Sequence, residues 1–109
     1  VSGGVDVIVR AIKSFPKSDA VQCNAMWCLA ELASFTDEYP SLKQSIRRFV
    51  VDLNGLELVE LALKEFPDCG LVQKNCCSLL TDIAALPAHE FKEKIKTQTN
   101  LVSLAGTAL

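Results

Sequence analysis

The stretch Gly4–Ala33, GVDVIVRAIKSFPKSDAVQCNAMWCLAELA, returns 51 positions later as Gly55–Ala84, GLELVELALKEFPDCGLVQKNCCSLLTDIA. The two segments align without a gap, and ten of their thirty positions are identical. Unrelated segments of this composition share far fewer positions. Self-similarity at a fixed step is the sequence signature of a repeated structural unit. We therefore expect a duplicated unit to decide the fold.

Each unit is predicted to contain two helices, because its apolar residues recur at steps of three and four. The apolar stripe of the first helix is Val5, Ile8, Ala11, Ile12 and Phe15, repeated as Leu56, Val59, Ala62, Leu63 and Phe66. The stripe of the second helix is Val21, Ala25, Cys28, Leu29 and Leu32, repeated as Val72, Cys76, Leu79, Leu80 and Ile83. The sequence contains no competing strand pattern, so the chain is expected to be all-α.

The ends of these helices also carry signals. Gly4 and Gly55 precede the first helix of each unit, where glycine would permit a positive φ and a sharp turn. Pro16 and Pro67 are expected to end it, because the residue before a proline is disfavoured in the α region. The second helix is expected to begin with a capping-box variant, Asp19 with Gln22, replaced in the second unit by Gly70 with Gln73.

A third helix is predicted between the units, from Ser41 to about Leu53, with Ser41 and Gln44 as its cap signal. Ile46, Phe49, Val50 and Leu53 would form its apolar stripe. A counterpart is expected to start near Glu90, with Phe91 and Ile95, and to be followed by a turn at Asn100 with Leu101 and Leu104 beyond it. Each unit would then contain three helices with short connections.

Two motifs resemble a known family. Residues 3–9 read Gly-Gly-Val-Asp-x-Ile-Val, and residues 20–33 read Ala-Val-Gln-x-Asn-Ala-x-Trp-x-Leu-x-x-Leu-Ala. Together they resemble the armadillo repeat, and the likeness covers nearly the whole chain. HEAT repeats are the nearest alternative, but they normally have two helices and lack the turn glycine.

The resemblance implies an armadillo-type, right-handed superhelical α-solenoid of about two and a half three-helix repeats. Residues 1–109 would form one repeat segment, with helices 2 and 3 of a first repeat in 4–33, a complete second repeat in 41–84 and the start of a third in 89–109. Since stacked units share one core, we expect the end helices, Gly4–Phe15 and Asn100–Leu109, to need neighbours from flanking repeats of a longer parent or from self-association.

Composition narrows the function classes. The formal net charge is −2, without the basic field that nucleic-acid binding requires. No apolar run reaches the roughly 18–20 residues that cross a bilayer. Five cysteines, an odd number, argue against a disulfide framework, so we expect reduced thiols and a cytoplasmic location. The adjacent Cys76 and Cys77 lack the spacing of a metal site, and His89 is expected to be a solvent-facing turn residue. No cofactor, metal or catalytic constellation is predicted.

A polar stripe is the candidate binding site. In the armadillo family the stacked third helices often bind extended peptides on the concave face, and importin-α uses tryptophan and asparagine four residues apart. The matching positions here are Trp27 with Glu31 and Ser78 with Asp82, so only the first tryptophan is kept and an import adaptor is not expected. Steps of three and four place on one side of each helix the residues Asn24, Trp27, Glu31, Asn75, Ser78 and Asp82.

This stripe has two interpretations. It is either a solvated flank, with asparagines bonded to neighbouring turns and Trp27 packed on the next helix, or a peptide groove made acidic by Glu31 and Asp82. The predicted function is a non-catalytic scaffold that binds a protein or an extended peptide. The alternative is a regulatory or autoinhibitory solenoid segment of a larger enzyme or signalling protein.

Overall fold

The computed structural model describes residues 2–86, and within that range every regular element is helical. The predictions for His89, for the helix near Glu90 and for Asn100–Leu109 lie outside the described residues. The described residues form five α-helices: α1 Ser2–Ser14, α2 Asp19–Ser34, α3 Pro40–Arg47, α4 Gly55–Glu65 and α5 Gly70–Ala84. A π-helical segment, π1, covers Arg48–Asp52. The all-α prediction is confirmed for this part of the chain.

The helices pack as two hairpins, α1–α2 and α4–α5, joined by α3 and π1. The most extensive contact between any two helices is that of α2 with α5, while α1 contacts both α4 and π1. Helix α2 therefore lies between the other helices, touching α1, α3 and α5. One apolar core runs through all the elements, and its largest fully buried side chains are Met26, Leu29, Ile46, Phe49, Leu56, Leu79 and Ile83.

Both hairpins are closed by the same side-chain clamp. Pro16 has no N–H, so it cannot donate a helical hydrogen bond to the carbonyl of Ile12, four residues earlier. The side-chain amide of Gln22 takes its place, donating to the carbonyl oxygens of Ile12 and Phe15 at 3.1 Å each. In the second hairpin Gln73 donates in the same way to Leu63 at 3.1 Å and to Phe66 at 2.9 Å, beside Pro67. The two repeated segments thus share their local structure down to one hydrogen-bond pattern.

This clamp corrects the predicted caps. The N-cap of α2 is Ser18, whose Oγ accepts from the amide of Val21 at 3.3 Å. Asp19 is the first residue of the helix, and Gln22 points back to α1, where Pro16 leaves the carbonyl of Ile12 without an amide donor. The N-cap of α5 is Cys69 instead of Gly70, and it makes no side-chain cap bond. The capping-box prediction was wrong in both units.

The connecting helix differs from its prediction at both ends. Tyr39 is the N-cap and makes no side-chain cap bond, while Pro40, with φ already suited to a first helical turn, opens α3. Ser41 instead accepts, through its backbone carbonyl, a bond from Ser45 Oγ at 3.2 Å. The predicted single helix to Leu53 widens into π1, where the amide of Leu53 donates to the carbonyl of Arg48, five residues earlier.

The positive φ lies one residue before the predicted glycine. Asn54 has φ 53° and ψ 44°, a left-handed conformation that asparagine tolerates better than most residues. Gly55 is the first residue of α4 and is needed for a different reason, because a Cβ there would overlap the ring of Phe49. Gly4 lies within α1 and faces open space. The prediction of positive-φ glycines was therefore wrong at both positions.

Most predicted apolar positions are at least half-buried, with one clear exception. Phe15 is 56% exposed, although its counterpart Phe66 is half-buried. Because α2 is covered on several sides, its buried set also takes in Met26, Ala30 and Ala33, which lie outside the predicted stripe. Within residues 2–86, no helix combines the length and the apolar character needed to cross a bilayer.

Candidate functional site

The predicted polar stripe lies on two helices that pack along each other. On α2, Asn24, Trp27 and Glu31 are all exposed. On α5, Ser78 is exposed, while Asn75 and Asp82 are half-buried. The 51-residue shift pairs the three positions on α2 with the three on α5, in the same order along each helix. The contact between α2 and α5 makes them one surface, which we call the α2–α5 surface.

Asn75 joins the two helices. Its side-chain amide donates to the backbone carbonyl oxygen of Cys23 at 3.0 Å and to the Cys23 sulfur at 3.3 Å. A helical carbonyl can accept this second bond because its oxygen has two lone pairs. Asn75 thus behaves as an asparagine bonded to a neighbouring helix, which was one of the two interpretations of the stripe. Its counterpart Asn24 donates no side-chain hydrogen bond within residues 2–86.

Glu31 and Asp82 are near enough for the charge of Glu31 to act on the carboxyl group of Asp82. Burial raises the pKa of Asp82, and the negative charge of Glu31 raises it further. Glu31 is on α2 and Asp82 on α5, so the packing of the two helices creates this juxtaposition. Like charges at short range repel, and a cation bound between them would relieve the repulsion. This end of the α2–α5 surface is therefore suited to a positively charged group.

Trp27 lies one turn before Glu31 on α2 and is the only tryptophan of the chain. It remains 53% exposed, so the packing of the neighbouring helices covers less than half of it. An exposed tryptophan ring attracts cations through its π face and offers a large area at low entropic cost. Trp27 and Glu31 together can hold both the alkyl stem and the charged end of a lysine or arginine side chain.

A groove continues the surface past Asn24, between the first turns of α2 and α5. It encloses about 270 Å³ and is lined by Asp19, Ala20, Cys23, Asn24, Cys69 and Leu71. Cys23 and Cys69 belong to different repeat units and are far apart in the chain. Only the packing of one unit on the other brings them to one groove. Leu71 is 62% exposed and provides an apolar wall.

A second groove of about 260 Å³ lies between α1 and α4. Lys17 and Glu65 form an ion pair of 2.8 Å at its rim. Its lining is otherwise mainly apolar and comprises Ile12, Lys13, Pro16, Gln22, Leu58, Leu61 and Ala62. No sequence pattern predicted this groove, because its two walls belong to different units.

The adjacent Cys76 and Cys77 are buried thiols on α5. Burial raises the pKa of Cys76 to about 12, and the neighbouring Cys77 and Cys23 add to the rise. Such a thiol is protonated at neutral pH and acts as a small apolar group. Burial also raises the pKa of Cys77. Among residues 2–86, no three or more His, Cys, Asp or Glu side chains are grouped as metal ligands.

Comparisons with known proteins do not assign the chain. No protein-family model matches the sequence. No curated protein and no solved structure matches it either. The resemblance to the armadillo repeat therefore stays a prediction from the sequence motifs.

Proposed function

We propose that this chain is a non-catalytic protein-interaction module, an armadillo-type, right-handed superhelical solenoid that binds a partner protein or an extended peptide along the α2–α5 surface. The repeated hairpin and the repeated glutamine clamp support the solenoid part of the proposal. The observation that carries the binding part is the half-exposed Trp27 beside two carboxylates from different layers, Glu31 and Asp82. The five free cysteines support a reducing, cytoplasmic location.

The ligand that fits this surface is an extended segment with a lysine or arginine. Glu31 and Asp82 attract its charge, and Trp27 packs on its alkyl stem. Asn75 is held by Cys23, so its role is to fix the helices that carry the other residues. Asn24 and Ser78 are exposed and can bond to the backbone of a bound segment. Aromatic anchors flanked by charged groups are common at interaction hot spots.

Trp27 provides the readout for a direct test, because it is the only tryptophan. The full chain is titrated with an extended lysine-containing peptide and, separately, with the same peptide carrying glutamine for lysine. We expect a saturable change of Trp27 fluorescence with the lysine peptide and weaker binding of the glutamine peptide. Glu31→Lys or Asp82→Lys should each weaken binding of the lysine peptide by about tenfold or more.

Glu57→Lys is the matched control. It makes the same change of charge at an exposed position in the first turn of α4, outside the α2–α5 surface. Its affinity for the lysine peptide should stay within about twofold of the unmodified chain. If Glu31→Lys and Asp82→Lys bind the lysine peptide as well as Glu57→Lys does, the carboxylates do not recognise the ligand and the groove is ruled out.

A further inference from the structure

The turn between α2 and α3, residues 35–39, exposes two aromatic side chains beside two carboxylates. Phe35 is 42% exposed and Tyr39 is 57% exposed. Asp37 and Glu38 lie between them, are exposed, and make no ion pair within residues 2–86. Uncovered aromatic side chains are informative because phenylalanine and tyrosine are enriched where proteins bind each other. We call residues 35–39 the acidic aromatic turn.

Hydrogen bonds hold this turn in one shape. Thr36 is buried, and its Oγ1 donates to the carbonyl of Ala33 at 3.1 Å. The amides of Glu38 and Tyr39 both donate to the carbonyl of Phe35, at 3.2 and 3.1 Å. The turn is thus anchored through Thr36 while both aromatic rings stay at the surface. A partner that binds the turn has little backbone order to impose, which lowers the entropic cost of binding.

The groove between α1 and α4 has the complementary character, and we call it the lysine groove. Its charged lining residues are Lys13, Lys17 and Glu65, so one positive charge is in excess. Lys17 pairs with Glu65, whereas Lys13 is exposed and makes no ion pair within the described residues. Leu61 is 62% exposed and belongs to the apolar lining. The volume of about 260 Å³ is below the roughly 300–1,000 Å³ of sites for drug-sized ligands, so the groove suits single side chains.

The turn and the groove lie at opposite ends of α2. Lys17 and Gln22, which line the groove, are at the start of this helix, and Phe35 follows its last residue. Helix α2 has 16 residues, which is about 24 Å of helix. A turn of five residues that is anchored through Thr36 cannot span that length. The turn of one chain can therefore reach only the groove of another copy.

We propose that the chain self-associates by placing the acidic aromatic turn of one copy in the lysine groove of another. An aromatic ring of the turn packs on the apolar lining beside Leu61, and the two carboxylates of the turn face Lys13 and Lys17. The contact joins two different surfaces and leaves the ends of the solenoid free. It depends neither on further repeats nor on peptide binding at the α2–α5 surface. Because the contact is small, we expect a weak association that exchanges rapidly.

Sedimentation velocity of the full chain over a series of concentrations tests the association. The mass should rise with concentration and should rise less at high salt, which screens exposed charges. The turn variant is Asp37→Lys/Glu38→Lys. The groove variant is Lys13→Glu/Lys17→Glu. Each variant brings like charges together in the contact and should weaken self-association by about tenfold or more.

Combining the variants tests whether the turn and the groove bind each other. The chain with both changes has a basic turn and an acidic groove, so its self-association should return. A mixture of the turn variant and the groove variant should form mixed pairs, because each supplies the unchanged surface that the other lacks. The matched control is Arg10→Glu/Lys74→Glu, which reverses two exposed charges outside the groove. It should associate like the unmodified chain.

Phe35→Ser/Tyr39→Ser keeps every charge and should also weaken the association, because no ring is left to pack in the groove. Urea midpoints check that each variant is folded. A full chain that stays monomeric at every concentration would overturn the proposal. An oligomer that the turn variant and the groove variant both leave intact would overturn it as well, since it must use another surface, such as the end helices.

Discussion

Gln22 and Gln73 make the most specific interaction that the two repeated units share. Each donates to a carbonyl that a proline, four residues further along, leaves without its helical partner. The sequence holds the signal twice, as a proline followed six residues later by a glutamine. The spacing of Asp19 and Gln22 suggested a local cap instead, because a cap needs only neighbours in sequence. A bond to a preceding helix cannot be deduced without knowing how the hairpin closes.

Replacing Gln22 and replacing Gln73 should lower the free energy of unfolding by unequal amounts. Gln22 is 2% exposed, and Gln22→Leu would leave the carbonyls of Ile12 and Phe15 without their side-chain donor. We expect a loss of about 1–3 kcal/mol in the free energy of unfolding. Gln73 is only half-buried, so water can replace part of its bonds and Gln73→Leu should cost less. Urea denaturation of both variants measures the difference. Equal and negligible losses would show that the clamps are not formed.

The glycine pair predicts changes of opposite sign at equivalent positions. Gly55→Ala would drive a methyl group into the buried ring of Phe49, and overpacking of this kind costs about 1–3 kcal/mol. Gly4→Ala meets nothing within 4 Å and lies in a helix, so it should stabilise by up to about 1 kcal/mol. Thermal or urea unfolding decides the sign. A stabilising Gly55→Ala would mean that Phe49 does not pack on α4.

At the scale of the elements, periodicity predicted all the helices of residues 2–86 but not their ends. The prolines placed the ends of α1 and α4 well, since a missing N–H acts locally. The start of α3 at Pro40 and the widening into π1 were not predicted. Pro40 at the first helical position is a local signal, whereas the widening depends on tertiary packing, because Phe49 and Val50 are consecutive and both are fully buried. An undistorted helix directs consecutive side chains about 100° apart.

Thiol reactivity reports on the packing of α5 against α2. Cys76 is fully buried with a pKa raised to about 12, and Cys77 is 2% exposed with a raised pKa. Cys69 and Cys28 are only partly buried. We expect maleimide labelling at neutral pH to modify Cys69 and Cys28 at least about tenfold faster than Cys76. Peptide mapping by mass spectrometry identifies the sites. Cys76 reacting as fast as Cys69 in the folded chain would contradict the packing of α5.

Asp82 makes stability depend on pH in a defined direction. Burial and the charge of Glu31 raise its pKa in the folded chain, so the folded state holds the proton more tightly than the unfolded state. The contribution of Asp82 to stability is therefore most unfavourable above its raised folded pKa, and is relieved as the pH falls through that value. Asp82→Asn should raise the urea midpoint at pH 7 and should gain less as the pH is lowered.

The control for this prediction is Asp68→Asn, which removes the same charge from an exposed turn. It should not raise the midpoint at pH 7. The proposed peptide binding should depend on pH in the opposite direction to stability, because a protonated Asp82 no longer attracts a cation. The affinity for the lysine peptide should fall as the pH drops through the raised pKa of Asp82. A midpoint that responds equally to Asp82→Asn and Asp68→Asn would show that neither burial nor the charge of Glu31 disfavours the ionised Asp82.

At the scale of the whole molecule, the sequence predicted which residues form the polar stripe but not how they are used. The repeat placed Asn24 and Asn75 at equivalent positions, yet within residues 2–86 only Asn75 donates a side-chain bond to the other hairpin. The same reasoning explains Val7 and Leu58, which are apolar alike and differ in burial. Both grooves have walls from two units, so periodicity within one unit could not reveal them.

The proposed binding surface requires α5 to lie along α2, so that two copies of one hairpin pack side by side. The bond from the Asn75 amide to the Cys23 carbonyl, 3.0 Å long between residues 52 positions apart, is the most direct sign of it. Nuclear Overhauser spectroscopy on the assigned full chain measures this contact. We predict cross-peaks between the side-chain amide protons of Asn75 and the β protons of Cys23. Cross-peaks of that amide to residues of α5 alone would contradict the account.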